Sequence, residues 1–174
     1  FHTRESITVM RAHPLDCWAD VRTSGETDMS LKLPRSSEGI VGWWETARGS
    51  KALFEWAGGK QTIATASTMS GELLGMYNGS LLLVPWADLV FPPTLTLYGD
   101  NKAALAAARR GWGRAVLWLG RAIGLRLSVL GDLIASQVIQ AEWRKTGLNV
   151  ADALTKRLAR LALERARELF GMER

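Results

Sequence analysis

Cysteine and histidine are nearly missing from this chain of 174 residues: Cys17 stands alone, and the two histidines, His2 and His13, both lie near the N-terminus. A single thiol excludes an internal disulfide framework and a Cys-rich zinc site, and it fits a reducing compartment such as cytoplasm or nucleus. Long apolar runs are missing too. The nearest candidate, Leu81-Leu-Leu-Val84, stops at Pro85, far short of the roughly 18 residues that a spanning helix needs, so no membrane partner is expected. Internal repeats and low-complexity segments are absent. The opening Phe1-His-Thr-Arg-Glu5 has neither an initiator Met nor an apolar signal core, which leads us to expect a piece of a longer chain.

What the sequence does contain is enough apolar matter for one compact domain, with 47% hydrophobic residues and a mean hydropathy of -0.01. Residues 1–13 show no period and read as a tether or the remnant of a preceding domain; residues 14–174 read as the domain. The net charge of +5 is unevenly spread. From Lys102 to Arg160 there are eleven basic residues against three acids, Asp132, Glu142 and Asp152. A basic half beside a more acidic one is the footprint of a nucleic-acid binder whose acids are gathered elsewhere.

Taken in order, Leu15–Asp20 reads as a first strand and Val21–Ser37, with Gly25, Pro34 and many small polar residues, as a long loop. Gly39–Trp44 and Ala52–Trp56 read as a hairpin around Arg48-Gly49-Ser50, completing an antiparallel meander. Met69, Leu73, Met76, Tyr77, Leu81 and Val84 mark one apolar helical face opening at Ser67. After Pro92-Pro93, Thr94–Gly99 alternates as a strand and the Ala-rich tract behind it reads as a helix. Glycines divide residues 111–136 into two expected helical pieces. Gln137–Trp143 is a last strand, 144–149 a basic loop, and Val150–Phe170 a closing amphipathic helix. The order predicts an α/β chain with a five-stranded mixed sheet, three strands in the meander and two parallel, with helices packed on it.

Four acids fall at the ends of these elements: Asp20, Glu72, Asp100 and Asp152. Each alone has an ordinary explanation, Asp100 as a helix cap and Glu72 as a solvated acid favouring the helix dipole. Gathered together, they would repel and raise one another's pKa, a state that hard divalent cations relieve. Two such ions about 4 Å apart can activate a water and stabilise the leaving oxygen of a phosphodiester.

Five local motifs then carry a resemblance. Arg35-Ser-Ser-Glu-Gly39, Trp56-Ala-Gly-Gly-Lys-Gln61, Ser67-Thr-Met-Ser-Gly-Glu-Leu73, Leu97-Tyr-Gly-Asp-Asn-Lys-Ala-Ala104 and Asn149-Val-Ala-Asp-Ala-Leu-Thr-Lys156 resemble, in order and spacing, motifs of the ribonuclease H domain of copia-type retrotransposon polyproteins. The likeness runs over residues 14 to 172, and its last two motifs are the most specific. It implies a ribonuclease H-like fold, with Asp20, Glu72, Asp100 and Asp152 as catalytic acids binding two Mg²⁺ or Mn²⁺ ions. The implied substrate is the RNA strand of an RNA–DNA hybrid. An upstream reverse-transcriptase domain in the same polyprotein is implied as a partner, and no small-molecule cofactor. Lys102, Arg109, Arg110, Arg114, Arg121 and Arg126, with Lys156, Arg157 and Arg160, are the candidate phosphate contacts.

Three departures from the family pattern stand out. Leu15-Asp-Cys-Trp-Ala-Asp-Val21 lets either Asp16 or Asp20 align with the first acid; Asp20, ending the strand, is preferred. The Lys-His-Ile that commonly follows the basic helix is replaced near Ala122–Leu125. The Val21–Ser37 loop is longer than the family's. These departures define the alternative reading, a ribonuclease H-like module that has lost catalysis and serves as a nucleic-acid-binding or structural appendage.

Overall fold

The computed structural model describes residues 7–8, 18–32, 35–111, 116, 119–156, 164, 166, 168 and 172–173. A five-stranded sheet forms its centre, built from β2 (Val21–Ser30), β3 (Ser37–Thr46), β4 (Lys51–Lys60), β5 (Leu95–Gly99) and β6 (Ile139–Trp143), in the order β4-β3-β2-β5-β6. The first three are antiparallel; β5 runs parallel to β2, and β6 parallel to β5. Two residue pairs at the chain's ends, β1 (Ile7–Thr8) and β7 (Met172–Glu173), form a separate antiparallel ladder. The helices are α1 (Thr68–Ala87), α2 (Lys102–Arg110), α3 (Arg121–Ala135) and α4 (Asp152–Thr155). The expected mixed sheet of meander plus two parallel strands is therefore present.

The first strand is not where its residues suggested. Trp18–Asp20 forms a 3₁₀ turn, and the stretch from Val21 to Ser30 that reads as a loop is β2, the middle strand of the sheet. The reason is burial without hydrophobicity. Thr23, Ser24, Glu26, Thr27 and Asp28 are all buried, because close-lying partners replace large apolar side chains on both faces. On the α1 face, a Cβ added to Gly79 would lie 2.6 Å from Thr27 Cγ2, and one added to Gly25 would lie 2.3 Å from Leu83 Cδ1. On the other face Ser24 donates to Glu45, Glu26 pairs with Arg144, and Asp28 accepts from Thr155. Buried polar groups paired in this way avoid the desolvation cost that would otherwise exclude them.

Conventional apolar packing holds the rest. Leu73, Met76 and Leu83 of α1, Leu95 and Leu97 of β5, Leu105 of α2 and Leu127 and Leu130 of α3 form one core with Ile139. α1 begins with a capping box in which Ser67 and Ser70 satisfy each other's backbone, and it continues past Pro85 to Ala87. Of the two helical pieces expected between residues 111 and 136, the second is α3, and residues 112–115 and 117–118 of the first lie outside the described residues. The closing helix expected from Val150 to Phe170 is not continuous: α4 spans only Asp152–Thr155 and ends at Lys156, whose backbone is extended, while residues 164, 166 and 168 are helical beyond it. Residues 157–163, with Leu158 and Leu161 expected on the inner face, lie outside the described residues, and so does Leu169.

Gly39 of β3 sets how closely α4 approaches the sheet, since an added Cβ would lie 2.4 Å from the backbone oxygen of Ala151 and 2.9 Å from Leu154 Cβ. Gly59, on the neighbouring strand, would meet nothing within 4 Å. Gly39→Ala is expected to cost about 1–3 kcal/mol as an overpacking substitution, measured by urea unfolding, with Gly59→Ala close to neutral in the same assay.

Candidate metal centre

β2 outlasts its parallel neighbour. Its pairing with β5 ends at Glu26 opposite Tyr98, whereas the strand continues to Ser30. At this divergence Asp28 comes from β2 and Asp100 follows directly after β5. A crevice beyond the carboxyl ends of parallel strands is where open α/β sheets hold ligands. Glu72 enters from the second turn of α1, which packs along β2 with Gly71 against Met29. Carboxylate oxygens of Asp28, Glu72 and Asp100 all lie within 4.8 Å of one another.

Asp100 is free for this role because its neighbour takes the capping duty. The Asn101 side chain accepts from the amides of Ala103 and Ala104, at 3.0 Å each, and caps α2. Asp100 instead accepts through Oδ2 from the Thr146 hydroxyl at 2.7 Å, while its backbone carbonyl accepts from the Trp143 indole N–H at 3.0 Å. Asp28 is held in parallel fashion, its Oδ2 accepting from Thr155 at 2.8 Å. Each of these acids therefore has one oxygen oriented by a hydroxyl and a second available to a cation.

The electrostatics follow from the crowding. Burial, then the charges of Asp28 and Asp100, push Glu72 up to about 9. Burial also raises Asp28, to about 7, helped by Asp152 and Asp100 and opposed by the Thr155 hydrogen bond. Hard oxygen donors, closely spaced and only partly compensated, match Mg²⁺, Mn²⁺ or Ca²⁺ rather than the nitrogen and sulfur sets that favour zinc. The residues present fit a divalent cation.

Of the four acids expected from the sequence, the structure brings Glu72 and Asp100 together. Asp152 starts α4 beside them; its charge acts on Asp28, but it lies outside the group of three and pairs with Lys156. Asp20 does not join. It sits exposed in the turn before β2, eight residues from Asp28 along an extended strand, or about 26 Å at 3.3 Å per residue. Asp16 lies outside the described residues. Asp28 was missed because its strand resembles a loop in composition. The available signal was the Val21–Ser37 connection itself, since so long a structureless segment inside a compact domain counts against the strand placement that requires it.

The basic candidates divide by what already occupies them. Arg109 donates to the backbone oxygen of Ala141 and pairs with Glu142 at 3.5 Å. Arg110 and Arg126 donate to carbonyls one turn back, and Arg126 also lies over the Tyr77 ring. The Lys102 ammonium sits 4.5 Å from the centroid of the exposed Trp143 ring, beside Asp100. Arg121 is exposed at the start of α3. Arg114, Arg157 and Arg160 lie outside the described residues. Sequence reading missed Arg144, which pairs with buried Glu26 and stacks 3.6 Å from the Tyr98 ring centroid.

Sheet order, strand directions and helix placement define a ribonuclease H-like fold. Among solved structures, the chain is similar to ribonuclease H1 of the halophilic archaeon Halobacterium salinarum, at 16% identity and a TM-score of 0.51, covering 83% of this chain and 98% of that one. It is likewise similar to LC11-RNase H1, isolated from compost, at 11% identity and a TM-score of 0.56, covering 83% and 97%. A third is the foamy viral protease–reverse transcriptase in complex with RNA/DNA hybrid, at 11% identity and a TM-score of 0.51, where 88% of this chain matches 22% of that one. No protein-family model and no curated protein sequence matches the chain. Among the described residues no helix is long and apolar enough to cross a membrane.

The raised carboxyls fix the sign of the pH dependence. Asp28 and Glu72 titrate higher in the folded protein than their ordinary values of 3.8 and 4.5, so the folded state keeps protons that the unfolded chain has released. That stability is whole below the ordinary values and is lost as pH rises through about 7 and then about 9. The Tm of the metal-free protein is expected to fall from pH 5 to pH 9 in a thermal melt. Added Mg²⁺ should recover more of it at the alkaline end, and Glu72→Gln should flatten the upper part of the decline.

Proposed function

We propose that this chain is a divalent-metal-dependent endoribonuclease that cleaves the RNA strand of RNA–DNA hybrids, within a retrotransposon reverse-transcriptase polyprotein of the copia type. The observation that carries the reading is the convergence of Asp28, Glu72 and Asp100 at the divergence of β2 and β5. The ribonuclease H-like fold and the five sequence motifs support it. Among the neighbours, LC11-RNase H1 and the foamy viral enzyme are each described in complex with an RNA/DNA hybrid.

Asp28 takes the part of the first acid, which the motif resemblance had placed at Asp20. Together with Glu72 and Asp100 it would hold one cation, and Asp152 would complete a place for a second. When bound, such ions activate the attacking water and stabilise the leaving oxygen of the phosphodiester. The protein's own contribution is to orient and to shield. Thr155 and Thr146 fix one oxygen each on Asp28 and Asp100, and the rigid seat of Glu72 on α1 keeps that carboxyl aimed at the crevice. Lys102 and Trp143, beside Asp100, offer a charge and an apolar surface to a nucleic-acid backbone. Of the described basic candidates on α2 and α3, Lys102 and Arg121 are the ones left to meet phosphates, because hydrogen bonds to the protein's own backbone already engage Arg109, Arg110 and Arg126.

With Mg²⁺ or Mn²⁺ the purified protein is expected to cut the RNA of a labelled hybrid duplex. Asp28→Asn and Asp100→Asn should each lower the rate by at least about a hundredfold, since losing even an outer partner of a metal ligand costs ten- to hundredfold. Asp20→Asn should retain cleavage, as an exposed surface substitution does. Hybrid binding without cleavage in either metal would replace this reading by the non-catalytic nucleic-acid-binding module.

A further inference from the structure

Lys156 follows α4 directly, and its ammonium pairs with the Asp152 carboxylate one turn back. The residue before it, Thr155, holds Asp28, so the ammonium lies on the same edge as the three gathered acids. The pair is not freely solvated: the Asp152 side chain is only 25% exposed and that of Lys156 48%. The other nearby cations are engaged elsewhere. Arg144 is committed to Glu26, Lys32 donates to the backbone oxygen of Thr155, and Lys102 covers Trp143. Lys156 is the cation that bonds an acid of this edge directly, through its ion pair with Asp152.

Resting on the metal-dependent reading above, we propose that Lys156 is the resident counter-ion of the acidic centre. It holds Asp152 in the metal-free protein, and a divalent cation must displace it to gain Asp152 as a ligand. This is a different role from the phosphate contact expected from its charge alone. The ammonium relieves the repulsion among the carboxylates while no metal is present, and it weakens metal binding because part of the attraction is already used. The first three acids can then load an ion with Lys156 in place, whereas a cation reaching for Asp152 requires exchange of one charge for another. Occupancy at Asp152 becomes the more easily lost of the two.

Calorimetric titration of Mn²⁺ into the intact chain, with no nucleic acid present, tests the assignment. Lys156→Gln is expected to bind Mn²⁺ roughly three- to tenfold more tightly than the native protein, the size expected from removing one partly solvated charge close to a divalent ion. Lys156→Arg, which keeps the charge, should bind like the native protein. In an Asp152→Asn background the gain from Lys156→Gln should vanish, because no carboxylate remains to be released. The metal-free Lys156→Gln protein should also melt at a lower temperature, with the difference closing at saturating Mn²⁺. Equal or weaker Mn²⁺ binding by Lys156→Gln, or a gain that persists without Asp152, overturns the counter-ion role alone. A native protein that binds no Mn²⁺ overturns the metal reading and this proposal with it.

Discussion

Repulsion among buried carboxylates is the constraint around which this protein is arranged. Asp28, Glu72 and Asp100 bring oxygens within 4.8 Å of one another, and Asp28 and Glu72 are almost wholly removed from water. Like charges at that separation in a poorly screened environment oppose folding. The structure opposes this repulsion with close helix–strand packing. Gly71 and Gly79 let α1 lie close on β2 at Met29 and Thr27, which keeps Glu72 buried at the crevice. A site so seated keeps its geometry whether or not its charge is neutralised, and geometry held in advance is what makes ligand binding selective.

The segment from Trp143 to Thr155 does most of the holding. It reaches the end of β5 through the Arg144 amide to the Gly99 carbonyl at 3.0 Å, and Asp100 just beyond it through the Trp143 indole and the Thr146 hydroxyl. It reaches β2 through the Asn149 side chain to the Thr27 carbonyl at 2.9 Å, the Val150 amide to Glu26 and the Thr155 hydroxyl to Asp28. One stretch of chain thus bridges the two strands whose divergence creates the crevice. Asn149, just before α4, divides its side chain between the two sides: its Oδ1 accepts from the Ala151 amide while its Nδ2 donates to β2. The motif around Asp152 is therefore as much a clasp across the sheet as a helix start.

Where hydrophobic period and turn chemistry governed an element, the sequence disclosed it. The β3–β4 hairpin, α1 with its Ser67 start, β5, α2 and β6 could be read from apolar content and turn chemistry, and Glu72 and Asp100 could be placed from them; of the apolar face expected on α1, however, Leu81 is 56% exposed, and Leu74 and Leu83 are buried instead. β2 could not be read that way. Its buried positions are two threonines, a serine, a glycine, a methionine and two acids, and the acids are satisfied by hydrogen bonds to residues more than a hundred positions away, Arg144, Val150 and Thr155. No local window contains those partners, so composition pointed to a loop, and the acid that joins Glu72 and Asp100 lies eight residues beyond Asp20. The motif likeness drew the reading the same way, because Asp16 and Asp20 lie where the family pattern can be aligned.

Glu26 shows why proximity to the site does not make every acid a ligand. It lies two residues before Asp28 on the same face of β2 and is fully buried, so strand geometry alone would nominate it. Both its oxygens are already taken, one by the Arg144 guanidinium and one by the Val150 amide. Burial still pushes Glu26 up, against the pull of those two donors, but the charge it carries is matched within the fold. Removing either partner would leave an unpaired buried ion, which is far costlier than never having had the pair. Asp28 has a hydroxyl on one oxygen and no cationic side chain bonded to it. Two acids from one strand face thus part company on the donors that meet them: the first is committed to the fold, while the second retains an oxygen that a cation can use.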